Sequence, residues 1–296
     1  MLRLTLFALL RLFNAAATGQ RTDRRLQQKV EELITGFSGE VGVYIKNLRT
    51  GKTVTINADT VFPTASMVKV PILVGVMDKI NSGTLSYHQK LIYKDSLLYE
   101  GEDILGSFKN NEPIELSKVL MLMLTTSDNT ASLWLQSLAG TGSRINELME
   151  RFGLPNTRVN SRTPGREEQR RQYGWGQTTP REMALLLEKI YRKEVITETS
   201  SLHMQRMLGR NYWDEEGLEA LPPTIEVFSK NGAVNASRSE LMVVNAPHNP
   251  YVFCIITKNN KDQRWERSNE AWVLSRKLSA LLWNYFEPRH PFQVNE

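Results

Sequence analysis

The stretch Thr64-Ala65-Ser66-Met67-Val68-Lys69-Val70-Pro71 places a hydroxyl three residues ahead of an amine and runs on into apolar residues as far as Val76 and Met77. On a helix, a spacing of three puts both side chains on one face of the first turn. Pro71 limits where that helix can start, because proline lacks an N–H and is accommodated only near the first turn. Ser66 therefore stands at or near a helix N-terminus. There the free N–H groups and the positive end of the dipole favour negative charge, so an alkoxide or a tetrahedral oxyanion would be stabilised. The chemistry on offer is nucleophilic catalysis by a serine with a lysine as its base. In isolation the same residues would also serve as a helix-capping serine followed by a solvated lysine.

The elements that would hold this pair can be read along the chain. Leu26, Val30, Leu33 and Ile34 recur at helical spacing between Asp23 and Phe37. Val41, Val43 and Ile45 alternate with other residues, as do Val54 and Ile56, giving two strands joined by a turn at Arg49-Thr50-Gly51-Lys52. Gly51-Lys52-Thr53 mimics the end of a phosphate loop, but Lys46 stands where its first glycine should be, so it is read as a turn. A polar, loop-rich region from Ser82 to Asn111 precedes an apolar helical stretch, Leu116 to Leu124. This breaks at Thr125 to Asn129 and resumes through Leu133, Leu135 and Leu138, with Gly140-Thr141-Gly142 as a helix terminator. Arg162 to Gly176 is polar and aperiodic. Thr178-Thr179-Pro180 then starts a helix through Met183, Leu186, Leu187 and Ile190. Glu226 to Val234, Glu240 to Val244 and Tyr251 to Lys258 read as strands, and Trp272 to Tyr285 as a C-terminal helix. Helix and strands at both ends around a helical middle argue for a discontinuous sheet domain, residues 23–65 and 206–290, with an all-helical unit, 66–205, inserted in it.

Three short motifs fall in order on this frame: Ser66-Met67-Val68-Lys69, Ser127-Asp128-Asn129 and Lys230-Asn231-Gly232. The set resembles the S-x-x-K, S-D-N and K-T-G motifs of class A β-lactamases and penicillin-binding proteins. Thr178-Thr179-Pro180 and the pair Ser237-Arg238 also match the class A pattern, and the resemblance covers nearly the whole chain beyond its first residues. It implies a β-lactamase-like fold of the α/β plus all-α class, an antiparallel sheet flanked by N- and C-terminal helices with an inserted helical domain and the active site between them. It also implies roles. Ser66 would attack a lactam carbonyl and carry the acyl group, with Lys69 as proton acceptor or relay, its pKa lowered by burial or by Lys230. Ser127 would pass a proton to the leaving nitrogen, and Asn129 would orient Lys69 and a substrate amide. The N–H groups of Ser66 and Ala233, beside Gly232, would form the oxyanion hole, and Arg238 with Lys230 would attract a substrate carboxylate.

Two departures from that family pattern stand out. Asn231 occupies the place of a threonine or serine, so an amide replaces a hydroxyl. Class A enzymes hydrolyse the acyl-enzyme with a loop glutamate and an asparagine four residues on. Here Glu168 and Gln172 have that separation, in a shorter loop and with Glu167 as an adjacent competitor. The resemblance therefore implies a serine β-lactamase acting on a small β-lactam, hydrolysing it through a Ser66 acyl-enzyme with Glu168 activating water. The alternatives are a penicillin-binding D,D-peptidase that acylates and deacylates slowly, and a non-catalytic module that senses β-lactams or cell-wall fragments.

Composition narrows the field further. The 296 residues are 41% hydrophobic and 23% charged, with a formal net charge of +5, ordinary for a globular protein. Basic residues are dispersed, and the densest run, Arg166 to Arg171, is interrupted by Glu167 and Glu168, so a nucleic-acid face is not supported. Cys254 is the only cysteine and lies among Val252, Phe253, Ile255 and Ile256, as a buried strand thiol would. The 4 histidines are scattered with no zinc-ligand spacing, and no cofactor is implied, although a triad built from remote residues would leave no local signature. Residues 1–17, with Arg3, an apolar stretch broken by Arg11 and a small-residue end at Ala15-Ala16-Ala17, resemble a secretory leader. A secreted or periplasmic protein follows from that, with no apolar run long enough for a membrane span and nothing that calls for more than a monomer.

Overall fold

A computed structural model describes residues 21–100 and 103–293; the leader-like segment, 1–17, lies outside the described residues. Helix α1 (Arg24–Ile34) is capped by Asp23, whose carboxylate accepts from Leu26 N at 3.2 Å. Strands β1 (Glu40–Asn47) and β2 (Thr53–Ile56) form the expected hairpin, and the short β3 (Phe62–Pro63) follows. The helical region begins with α2 (Lys69–Asn81). After β4 (Lys90–Ile92) and β5 (Pro113–Glu115), a short two-stranded pair, come α3 (Leu116–Met121), α4 (Asn129–Leu138) and α5 (Thr141–Arg151). Gly140 closes α4 in the left-handed conformation, φ +94°, that suits glycine, and α5 starts at the next residue. Strand β6 (Arg158–Val159), helix α6 (Glu167–Tyr173) and β7 (Gly176–Thr178) lead to α7 (Pro180–Tyr191) and α8 (Glu198–Leu208). Strands β8 (Val227–Val234), β9 (Ser237–Val244) and β10 (Tyr251–Lys258) precede α9 (Glu270–Phe286).

The main sheet is antiparallel throughout, in the order β2-β1-β10-β9-β8, so the two ends of the chain meet at the β1–β10 seam. The alternation of side chains sorts the strands onto two faces. Val43, Ile45, Phe253 and Ile255 pack with Leu26 and Val30 of α1 and Leu278 and Leu282 of α9. Tyr44, Val252, Cys254 and Ile256 point the other way, into the cluster that also holds the helical region. Both faces are therefore covered, which explains the unbroken apolar run of β10.

Helix α2 is buried on every side from Lys69 to Met77, packed by α4, α5 and α8. A helix apolar all round belongs at the centre of a fold, and this one fixes the position of its N-terminus in all directions. Helix α7 lies on β1, β9 and β10, and α8 lies on β8, so the helical segment and the inner sheet face share one core. The boundary expected at 205 falls inside α8. The aperiodic stretch Arg162 to Gly176 contains α6, a helix with no buried residue and hence no apolar stripe to reveal it. Strand β9 begins at Ser237, three residues before the expected start, because its first residues are polar although all are buried.

Candidate active site

Ser66 sits in a single tight helical turn, Ala65–Val68, that leads directly into α2. The turn is held from two sides. Thr64 N donates to Gly176 O of β7 at 2.9 Å, and β8 passes so close that a Cβ on Gly232 would lie 2.7 Å from Ser66 N. Glycine at position 232 is thus what lets the strand carrying Ala233 reach the amide of Ser66. Ala65, just before the serine, takes a positive φ of 45°, a strained position for a residue with a side chain.

The second motif is placed by an irregularity. Helix α3 widens into a π-turn over Leu122–Thr126 and ends at Ser127, in the left-handed conformation with φ +63°. Asp128 then caps α4, accepting from Ala131 N at 2.7 Å, while its other oxygen accepts from Leu105 N at 2.8 Å. Asp103 accepts from Thr130 N at 2.8 Å and from the Thr130 hydroxyl at 3.0 Å. These bonds pin the loop between β4 and β5 to the start of α4. Asp128→Ala removes a cap and leaves the buried N–H of Leu105 unpaired. The expected cost is about 3 kcal/mol in urea or thermal unfolding, with Asp128→Asn recovering part of it.

Lys69 joins the two motifs. Its side chain is fully buried, and Nζ lies 3.1 Å from Ser66 Oγ, 3.0 Å from Ser127 Oγ, 2.9 Å from Asn129 Oδ1 and 2.5 Å from Ser127 O. Burial, and secondarily the charge of Lys230, push its pKa well below the usual lysine value, against the opposing pull of Asp103 and Asp128. A neutral amine has two N–H bonds and one lone pair. Ser127 O and the Asn129 carbonyl can only accept, so they take the N–H bonds and leave the lone pair for a serine hydroxyl.

Lys230 on β8 is equally buried, its pKa lowered to about 8 by burial while Glu240 and Glu216 act in the opposite sense. Its Nζ donates to Asn231 O at 2.9 Å and to Asn231 Oδ1 at 3.2 Å. Two adjoining hollows of about 580 and 490 Å³ meet at Ser66, Asn129 and Ala233. Pro63, Tyr99, Gln172, Trp175, Ser237 and Lys258 line the first. Ser127, Asn231, Gly232, Trp213, Trp265 and Trp272 are among those lining the second.

The structure thus brings together Ser66, Lys69, Ser127, Asn129, Lys230, Asn231, Gly232 and Ala233, but two other expected residues lie elsewhere. Glu168, on the outer side of α6, is 72% exposed and ion-paired with Arg171, and it lines neither hollow. Glu167 is also exposed, accepting from Gly165 N at 3.2 Å. The loop instead presents Gln172, Tyr173, Gly174 and Trp175 to the cavity, because the seven-residue α6 turns its charged residues to water. Arg238 is buried between Trp265 and Trp272, its guanidinium carbon 4.4 and 4.7 Å from their ring centres. It donates to the carbonyls of Ser237 at 3.0 Å and Asn235 at 3.2 Å. It therefore braces the β8–β9 turn and does not line the cavity. The cationic residues that do are Lys258, Arg267 and Arg276.

Tyr99, Trp175, Glu216 and the tryptophans were not legible as site residues. All but Trp272, in the first turn of the C-terminal helix, come from segments without periodicity, and only the clustering of tryptophan at 265 and 272 offered a signal. Tyr99 and Trp175 meet edge to face at 5.0 Å across the first hollow.

Known proteins share this architecture. The solved structure of PBP-A superposes with a TM-score of 0.80 at 25% identity, covering 91% of this chain and 98% of that one. A β-lactamase from Sphaerobacter thermophilus superposes at 0.79 and 19% identity, over 89% and 99%. In sequence, the β-lactamase VEB-1 of Pseudomonas aeruginosa is 23% identical, over 96% of this chain and 97% of its own length. The extended-spectrum β-lactamase PER-1 of the same organism is 22% identical, over 86% and 89%. A sequence profile of the β-lactamase enzyme family matches residues 25–286. With nine-tenths of its length inside that profile and the same fold around Ser66, the chain belongs to the β-lactamase enzyme family.

Proposed function

We propose that the protein is a serine acyl hydrolase that opens β-lactams by forming an acyl-enzyme on Ser66, and that deacylation is its slow step. The observation that carries this is the buried Lys69 amine, with acceptors for its N–H bonds and a lone pair left for Ser66 or Ser127. In this mechanism Lys69 takes the proton as Ser66 Oγ attacks the lactam carbonyl carbon. The oxyanion is received by the N–H groups of Ser66 and Ala233, a role supported by the close approach of the Gly232 strand to Ser66 N. Ser127 gives its proton to the departing nitrogen as the C–N bond breaks, and Lys69 re-protonates Ser127. Asn129 keeps the amine aimed. Among the structural relatives, a variant of PBP-A is known as an acyl-enzyme complex with penicillin G, which supports the same step here.

The hydrolytic half rests on weaker equipment. The loop residues facing the cavity supply an amide and a phenol, Gln172 and Tyr173, and no carboxylate. The loop therefore offers no strong base to water at the ester, which supports slow deacylation. That observation favours a second reading, a penicillin-binding D,D-peptidase, in which a D-alanyl-D-alanine peptide turns over and β-lactams remain attached. Intact mass after penicillin addition tests the scheme. The expected result is one stoichiometric adduct, absent in Ser66→Ala, whose decay changes less than about twofold in Glu168→Ala. An adduct that survives only in the Glu168 variant would restore that residue as the base.

A further inference from the structure

One wall of the cavity carries an acid that no motif marks. Glu216 lies between α8 and β8, is half-buried, and lines the same hollow as Ser66, Ser127, Asn231 and Ala233. Its Oε2 accepts from Asn231 Nδ2 at 2.7 Å. The carbonyl oxygen of the same amide takes Lys230, so a carboxylate of the protein already occupies the donor end of Asn231.

Three carboxylates line this hollow, Asp103, Glu215 and Glu216, against two arginines, Arg267 and Arg276. Lys230, beneath β8, spends its bonds on Asn231. Arg276 of α9 donates to the backbone of Glu215 at 3.2 Å and of Arg267 at 2.5 Å. Arg267 forks onto Glu219 with bonds of 2.7 and 2.5 Å. Glu215 adds a negative charge beside Glu216, Asp103 adds one across the hollow, and Glu240 faces Asn231 from β9. Glu240 is fully buried and its carboxyl is pushed well up by desolvation and then by Glu216, so it contributes less charge than its type suggests. Burial, the largest influence on Glu216 itself, raises its pKa; the bond from Asn231 and the charge of Lys230 act against this.

We propose that Glu216 determines specificity in the Ser66 reaction: by holding the donor end of Asn231 it disfavours substrates with a carboxylate beside the scissile bond and favours neutral or cationic groups there. The inference rests on Ser66 acylation as set out above. Like charges brought together in a part-buried site repel strongly, and here the repulsion is removed when Glu216 is protonated. Acylation by anionic substrates should therefore gain on acylation by neutral ones as pH falls through the pKa of Glu216. Lys230, at about 8, stays cationic over that range. Lys69 titration acts on both substrates alike and drops out of the ratio.

The test measures second-order acylation of the full chain by penicillin G and by its carboxyl methyl ester, using intact mass, over a pH series from the ordinary carboxylate range up to neutrality, in wild type and Glu216→Gln. In the wild type the acid-to-ester ratio should rise about tenfold on acidification. In Glu216→Gln the ratio should be high already at the upper pH and stay flat. Equal ratios in the two proteins, or a wild-type ratio indifferent to pH, would overturn the role of Glu216 while leaving Ser66 acylation standing. Absence of any adduct with either probe would overturn the acylation scheme and this inference together. Should the glutamine variant not fold, the wild-type ratio decides alone: a tenfold rise supports the role and a flat profile rejects it.

Discussion

Lys69→Ala should lower the rate of Ser66 acylation by about three orders of magnitude, the middle of the range a positioned base contributes. The side chain is replaced by a small apolar one. Asn129 Oδ1 and Ser127 O, which now receive N–H bonds at 2.9 and 2.5 Å, would face each other without a donor. The pH profile separates loss of a base from loss of packing. In the proposed scheme the reactive form has Lys69 neutral, so the rate should climb as pH rises through its folded pKa, which burial and Lys230 hold well below the ordinary lysine value. For an anionic substrate the rate then falls above about 8, where Lys230 loses its proton. Lys69→Ala should abolish the rising limb and leave the falling one. A variant that acylates slowly but keeps the full wild-type profile would show that another group takes the proton.

Gly232→Ala is expected to be nearly as damaging, for a steric reason. The added Cβ would lie 2.7 Å from Ser66 N, 2.9 Å from Thr64 O and 2.8 Å from Ser239 Oγ. The serine hydroxyl can rotate away, but the two backbone atoms cannot. Either β8 retreats or the Ser66 turn is displaced, and both movements separate the N–H groups proposed to receive the oxyanion. A shift of about 1 Å in such a site costs roughly a hundredfold in rate. Overpacking adds a stability loss of about 2 kcal/mol. Stopped acylation assays and chemical denaturation on the same variant measure the two effects. Wild-type acylation by Gly232→Ala would show that the strand's close approach is not what forms the hole.

Local rules covered the ends of the molecule well. Alternation at Val41, Val43 and Ile45 and the apolar run of Tyr251 to Lys258 found the two strands that become the β1–β10 seam, since burial of one or both faces imposes those patterns. Capping marked helix starts for an equally local reason, as at Thr179, whose hydroxyl accepts from Glu182 N at 3.2 Å. Helix α6 escaped because it buries nothing, and Ser237 to Ser239 because polar side chains in a buried strand break the alternation that betrays one.

The sequence alone determined that Ser66 and Lys69 share one face of a helical turn, because a spacing of three residues is a local property of the backbone. Motif order added Ser127, Asn129 and Lys230 as companions, through resemblance and not through any local rule. Only the tertiary structure decided what surrounds that pair. The Lys69 bonds to Ser127 and Asn129 span 58 and 60 residues, and their lengths depend on how α2, α3 and α4 pack. Glu168 and Arg238 had suitable chemical types, yet loop conformation turned one to solvent and a tryptophan pair enclosed the other. Glu216 entered the cavity from a segment with no pattern at all. Periodicity fixes the direction of a side chain only where a regular element repeats; in loops that direction is set by long-range packing, which leaves no trace in neighbouring residues.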